Sequence, residues 1–100
     1  MKNFEELEQS ITKWASDKSL VWYPNHPRQF MKVMEELGET ARAVIKKDDE
    51  AIKDGIGDTF VTLIILCKQL GLSPVECLSL AWEEIKNRTG KTVDGSFIKD

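Results

Sequence analysis

Histidine is almost absent from this chain of 100 residues: His26 stands alone, and cysteine occurs only twice. A zinc centre needs a cluster of those two residue types, so their scarcity argues against one. Cys67 and Cys77 sit in apolar surroundings without ligand-like spacing and read as structural thiols of a reducing compartment. His26, placed in a loop between Asn25 and Pro27, is too isolated to serve a nucleophile. Excess positive charge is missing as well. The net charge is −3 and the pI is near 5.2, which leaves no electrostatic footprint for non-specific nucleic-acid binding. No apolar run approaches the roughly 20 residues of a membrane span; the longest, Phe60 to Cys67, is interrupted by Thr62. The opening MKNFEELEQS is acidic and amphipathic, unlike a secretory signal. These absences lead to the expectation of a cytoplasmic protein without nucleic-acid or membrane partners.

Linkers, repeats and low-complexity tracts are also lacking, so residues 1–100 are expected to form a single domain. With 41% hydrophobic and 31% charged residues the chain has the composition of a folded protein. One hundred residues nevertheless bury enough apolar surface only with difficulty.

Helix punctuation is clear. Asn3 caps a first helix and Glu6 completes the box, followed by an apolar face of Phe4, Leu7, Ile11 and Trp14, with Trp14 expected in the core. YPNHP, residues 23 to 27, breaks the pattern as a loop. A second helix is predicted from about Arg28 to Lys47, with Phe30, Met34, Leu37, Ala41 and Val44 as its stripe. A third follows from about Glu50 to Leu70, capped by Asp48 or Asp49 and stopped by Gly71. Its second half is apolar nearly all round, which marks a central helix or an oligomer contact. Ser73, Pro74 and Glu76 start a fourth helix that runs to about Arg88, with Gly90 ending it. Asp94-Gly95 then lies between short β-prone runs, a hairpin signal, and such a hairpin needs something to lie on. The fold class is all-α, a four-helix arrangement with a short C-terminal hairpin.

Chemistry is concentrated in two acidic patches, Glu35, Glu36 and Glu39 on the second helix and Asp54 and Asp58 on the third. At spacings of three and four, Glu36 shares a face with Glu39, and Asp54 with Asp58. Gly38 and Gly57 each stand immediately before the last acid. A mid-helix glycine costs about 1 kcal/mol relative to alanine, which makes sense where backbones come close or a bulky anion approaches. The patches read either as solvated faces or as the walls of a cation cage. Their position beside stripe residues such as Leu37 and Ile56, and their mutual repulsion, favour the cage. Carboxylate oxygens suit magnesium, or manganese.

Glu35-Glu36-x-x-Glu39, followed after a spacer by Asp58, resembles the motif of the MazG-like all-α nucleoside triphosphate pyrophosphohydrolases. That motif is Glu-Glu-x-x-Glu on one helix and Glu-x-x-Asp on the next. QFMKVMEELGE, IGDTFVTLIILCKQLGLSPVECL and NRTGKTVDGSFIKD resemble its flanks, so the similarity runs from about Trp14 to the end. It implies a MazG-type four-helix fold and magnesium-dependent hydrolysis of (deoxy)nucleoside triphosphates to the monophosphate and pyrophosphate. Glu36, Glu39 and Asp58 carry over as metal ligands, and Glu35 is the candidate general base. Relatives assemble as homodimers or dimers of dimers, and the apolar perimeter of the third helix points the same way.

Two positions depart from the pattern. Gly55 stands where the motif calls for glutamate, with Asp54 as a neighbouring substitute ligand, and Glu83 stands where relatives often carry asparagine. Both leave a second reading open, a nucleotide-binding or interaction module with an eroded metal site. For the substrate, Lys32, Lys86, Arg88 and Lys91 are the candidate phosphate-binding cations, Gln29 a hydrogen-bonding group, and Trp22 the base-stacking surface. Glu83 is expected beside them.

Overall fold

The computed structural model describes residues 1–22 and 25–100; Tyr23 and Pro24, the first two residues of the expected loop, lie outside the described residues. Four helices are followed by one hairpin: α1 (Phe4–Asp17), α2 (His26–Lys46), α3 (Asp49–Gln69), α4 (Pro74–Ile85), β1 (Gly90–Val93) and β2 (Ser96–Lys99). Each helix starts on a side-chain cap. Asn3 and Glu6 form the reciprocal box of α1, Asn25 accepts from the Arg28 amide, Asp48 from Ala51 and Ser73 from Glu76. α2 therefore begins two residues before the expected Arg28, because Asn25 caps it and Pro27 fits its first turn. The hairpin pairs Val93 with Ser96 across Asp94-Gly95. Both turn residues have positive φ, 49° and 80°, as the two-residue type I′ turn requires.

α3 is the central rod. α2 packs along much of it, α1 crosses it over a shorter stretch, and α4 leaves its axis at 103°. The buried apolar residues are Ala15, Val33, Ala43, Ile64 and Ile65, a small core in which no large side chain among the described residues is fully enclosed. The face of α2 that meets α3 is Gln29, Val33, Glu36, Thr40 and Ala43. The expected stripe is thus one residue, or about 100°, out of phase. Phe30, Met34, Leu37 and Val44 remain half-exposed. The reason is local: Thr40 and Gly55 allow the two backbones to touch, and that close approach decides which face turns inward. Trp14 is also half-exposed rather than core, because α1 turns Glu8 and Ala15 inward instead.

α4 buries no residue, and every residue of the hairpin is exposed; the support expected under the hairpin is not provided by the described residues of this chain. The chain exposes 7908 Å², whereas a compact monomer of its mass exposes about 5,800 Å². The excess is larger than the share that one partner buries in a standard interface, about 800 Å².

Candidate active site

The seam between α2 and α3 is built from hydrogen bonds and one close crossing. Across it Gln29 Nε2 donates to the Thr62 carbonyl at 3.0 Å; within α2, Thr40 Oγ1 donates to the Glu36 carbonyl at 2.7 Å. Gly55 is buried directly against Thr40: a Cβ there would overlap Thr40 Oγ1 and lie 3.0 Å from its Cβ and 3.1 Å from its Cα. A glutamate at position 55 therefore has no room while the helices keep this spacing. Gly38 and Gly57, expected at the close approach, have no atom near where a Cβ would stand. The close contact falls on Gly55 because it alone faces α2.

Glu36 is carried onto this seam by its place between Val33 and Thr40. Its Oε2 is shut off from solvent and has no hydrogen-bond partner. Burial pushes its carboxyl above the ordinary 4.5, and the negative charges of Glu39, Asp58 and Glu35 push it further in the same direction. Glu39 on the same helix and Asp58 on the neighbouring one are thus close enough to act on Glu36. An orphaned oxygen amid like charges lacks a positive partner, and an all-carboxylate donor set is that of a hard divalent cation. Among the described residues, no three Asp, Glu, His or Cys side chains are gathered into a finished cation cage. The residues fit the ion by chemistry and by the unpaired oxygen, not by a ready-made arrangement.

Asp54 and Asp58 lie at the edge of a groove of about 470 Å³ between α1 and α3. Glu8 lines the same groove and is the one buried charged residue among those described. Lys68 Nζ holds its Oε1 at 2.8 Å. Sequence reasoning missed this pair, although Phe4, Glu8, Ile11 and Ala15 repeat at spacings of four, three and four and so place an acid on the inward face.

The remaining candidates are dispersed. Lys32 pairs with Glu35 at 3.6 Å, so this cation stays beside the acids. Gln29 is committed to the Thr62 carbonyl through its amide nitrogen. Trp22 donates its indole N–H to Ser16 Oγ at 3.0 Å and leaves its ring exposed. Nearby, Gln69 at the end of α3 holds the Leu20 carbonyl, eleven residues and roughly 16 Å along the helix from Asp58. On α4 and beyond, Lys86 pairs with Glu83 and Arg88 with Glu84. Lys91 lies in β1. No residue from α4 or the hairpin lines the groove that holds Asp54 and Asp58.

Over 69 residues the chain is 44% identical to an uncharacterized 18.2 kDa protein from the rep-hol intergenic region of Haemophilus phage HP1 (strain HP1c1); the match covers 69% of this chain and 42% of that protein. The chain thus spans less than half the length of that curated relative. No solved structure matches it. The family model for the MazG nucleotide pyrophosphohydrolase domain matches residues 25–90, which hold both helices of the acidic seam and the start of the hairpin. By that match the chain belongs to the MazG nucleotide pyrophosphohydrolase family.

Proposed function

We propose that the chain hydrolyses nucleoside triphosphates between the α and β phosphates, releasing a nucleoside monophosphate and pyrophosphate in a magnesium-dependent reaction. The observation that carries this reading is the orphaned, solvent-free Oε2 of Glu36 beside Glu39 and Asp58, in a chain of this family. Glu36, Glu39 and Asp58 would hold the ion, with Asp54 beside them; manganese suits the same oxygens. When bound, magnesium supplies neutralisation of phosphate charge and acidification of water. Glu35, oriented by Lys32, accepts the proton of the attacking water, and Lys32 faces the phosphates.

The phosphate-binding cations Lys86, Arg88 and Lys91 sit on the arm formed by α4 and the hairpin, away from the acids of their own chain. In a homodimer or homotetramer the arm of one copy reaches the seam of another, which also covers the excess exposed surface. Such turnover of small nucleotides suits a cytoplasmic protein. Pyrophosphate release from a panel of nucleotides, with and without magnesium, tests the reading; no release from any of them refutes it.

A second reading, a nucleotide-binding module without turnover, draws on Gly55. The motif's fourth carboxylate is absent and cannot be accommodated beside Thr40. Binding without pyrophosphate release is its signature.

A further inference from the structure

We propose that Cys67 and Cys77 form a modification site, a thiol pair that a small disulfide of the glutathione class converts into a cross-link between α3 and α4. It acts independently of the nucleotide chemistry proposed for the seam. Both side chains line one apolar cavity of about 320 Å³, walled by Phe60, Leu63, Pro74 and Leu78. The backbone of the turn sets them there. The Cys67 carbonyl accepts from the Leu72 amide at 2.8 Å, and the Cys77 amide donates to the Ser73 carbonyl at 3.0 Å. Each cysteine is thus tied to one of two consecutive residues, at the corner where the helix axes turn by 103°. Both thiols are free.

Their surroundings divide the roles. Cys77 is exposed and Cys67 is half-buried. Burial raises the Cys67 thiol above its ordinary value, and Cys77 lies close enough to raise it further. Access therefore makes Cys77 the first to react. Its thiolate attacks one sulfur of the small disulfide, that S–S bond breaks, and one glutathione leaves with the proton that Cys77 lost. The Cys67 thiolate then attacks Cys77 Sγ in the mixed disulfide and expels the second glutathione, which takes up the Cys67 proton. Two protein thiols are oxidised, and one small disulfide is reduced to two thiols. The second attack is intramolecular, so proximity offsets the low reactivity of a half-buried thiol. Such a link matters at this corner because α4 buries no residue. A covalent bond at its first turn fixes an arm that packing leaves loose.

The test equilibrates the reduced full chain with mixtures of reduced and oxidised glutathione and reads intact mass, free thiols and Tm. The expected product is a single chain lighter by a pair of hydrogens, without free thiols, whose peptide map joins Cys67 to Cys77. Closing a loop of about 11 residues is expected to raise Tm by about 10 °C. Dithiothreitol is expected to reverse the mass and the Tm together. Cys67→Ser is expected to stop at the mixed disulfide, with glutathione held on Cys77. Cys77→Ser is expected to take up glutathione at least about tenfold more slowly than Cys67→Ser. Wild-type chains that keep both thiols in excess oxidised glutathione, or carry glutathione without the internal link, overturn the proposal. So does a cross-link between copies on a non-reducing gel.

Discussion

The α2–α3 seam and the arm formed by α4 and the hairpin are built on opposite terms. Along the seam, Thr40 meets Gly55, Gln29 reaches Thr62, and a carboxylate is drawn inward. On the arm no residue is buried, and Leu78, Leu80 and Trp82 are each more than half exposed. The seam leaves one buried carboxylate oxygen without a partner; the arm is held by its hydrogen-bonded backbone and the exposed pairs Lys86–Glu83 and Arg88–Glu84. Tight packing here marks where the acids are held, and loose packing marks the apolar surface that this chain leaves uncovered.

Breaking the seam chemically gives the largest expected effect. Glu39→Gln should cut magnesium-dependent pyrophosphate release by at least about 100-fold, the upper end for groups that support a metal. In EDTA it should also raise Tm, since it relieves the repulsion that acts on Glu36. An unchanged rate removes the assigned site. The arm is tested by Leu80→Asp. In an isolated chain this exposed substitution should cost no more than about 0.5 kcal/mol; where a second copy covers the arm, sedimentation should show the assembly falling to monomers. Wild-type protein sedimenting at 11.4 kDa would end that half of the comparison.

Gly55→Glu sharpens the seam by geometry. Added bulk against Thr40 should destabilise the fold by about 1–3 kcal/mol or more, measured by urea denaturation, and lower the activity rather than restore a ligand. The smallest effect is on pH dependence. Because Glu36 has a carboxyl pKa raised above 4.5 in the folded state, the folded chain holds its proton more tightly than the unfolded one. Its contribution is therefore fully present below pH 4.5 and is lost as pH rises through the folded value. Metal-free Glu36→Gln should lose that part of the decline in thermal scans. An identical pH profile in wild type and variant would show that Glu36 is not held as described.

Much of the fold was legible because caps and breakers act locally. Asn3, Ser73-Pro74 and Asp94-Gly95 specify their structures within a few residues, and all three form where they are expected. What sequence could not supply was the rotation of α2. Its apolar stripe and its packing face differ by one residue, since contact between Thr40 and Gly55 outweighs the hydrophobic pattern and leaves the stripe outside. The acids of the seam were readable from spacing and resemblance, but the groove was not, because it joins α1 to α3 across more than 40 residues. Glu8 was overlooked for a related reason: a charge at an inward position makes sense only once Lys68, 60 residues later, is seen to meet it.

One missing carbon at Gly55 acts as a gauge block for the whole molecule. It fixes how far apart two rods stand, and with that the span between the carboxylates on each, irrespective of how the connecting turn is written. Loops and outer faces are free to drift in sequence without detuning the centre, whereas a methyl group at that single crossing would push the acids of one rod away from those of the other.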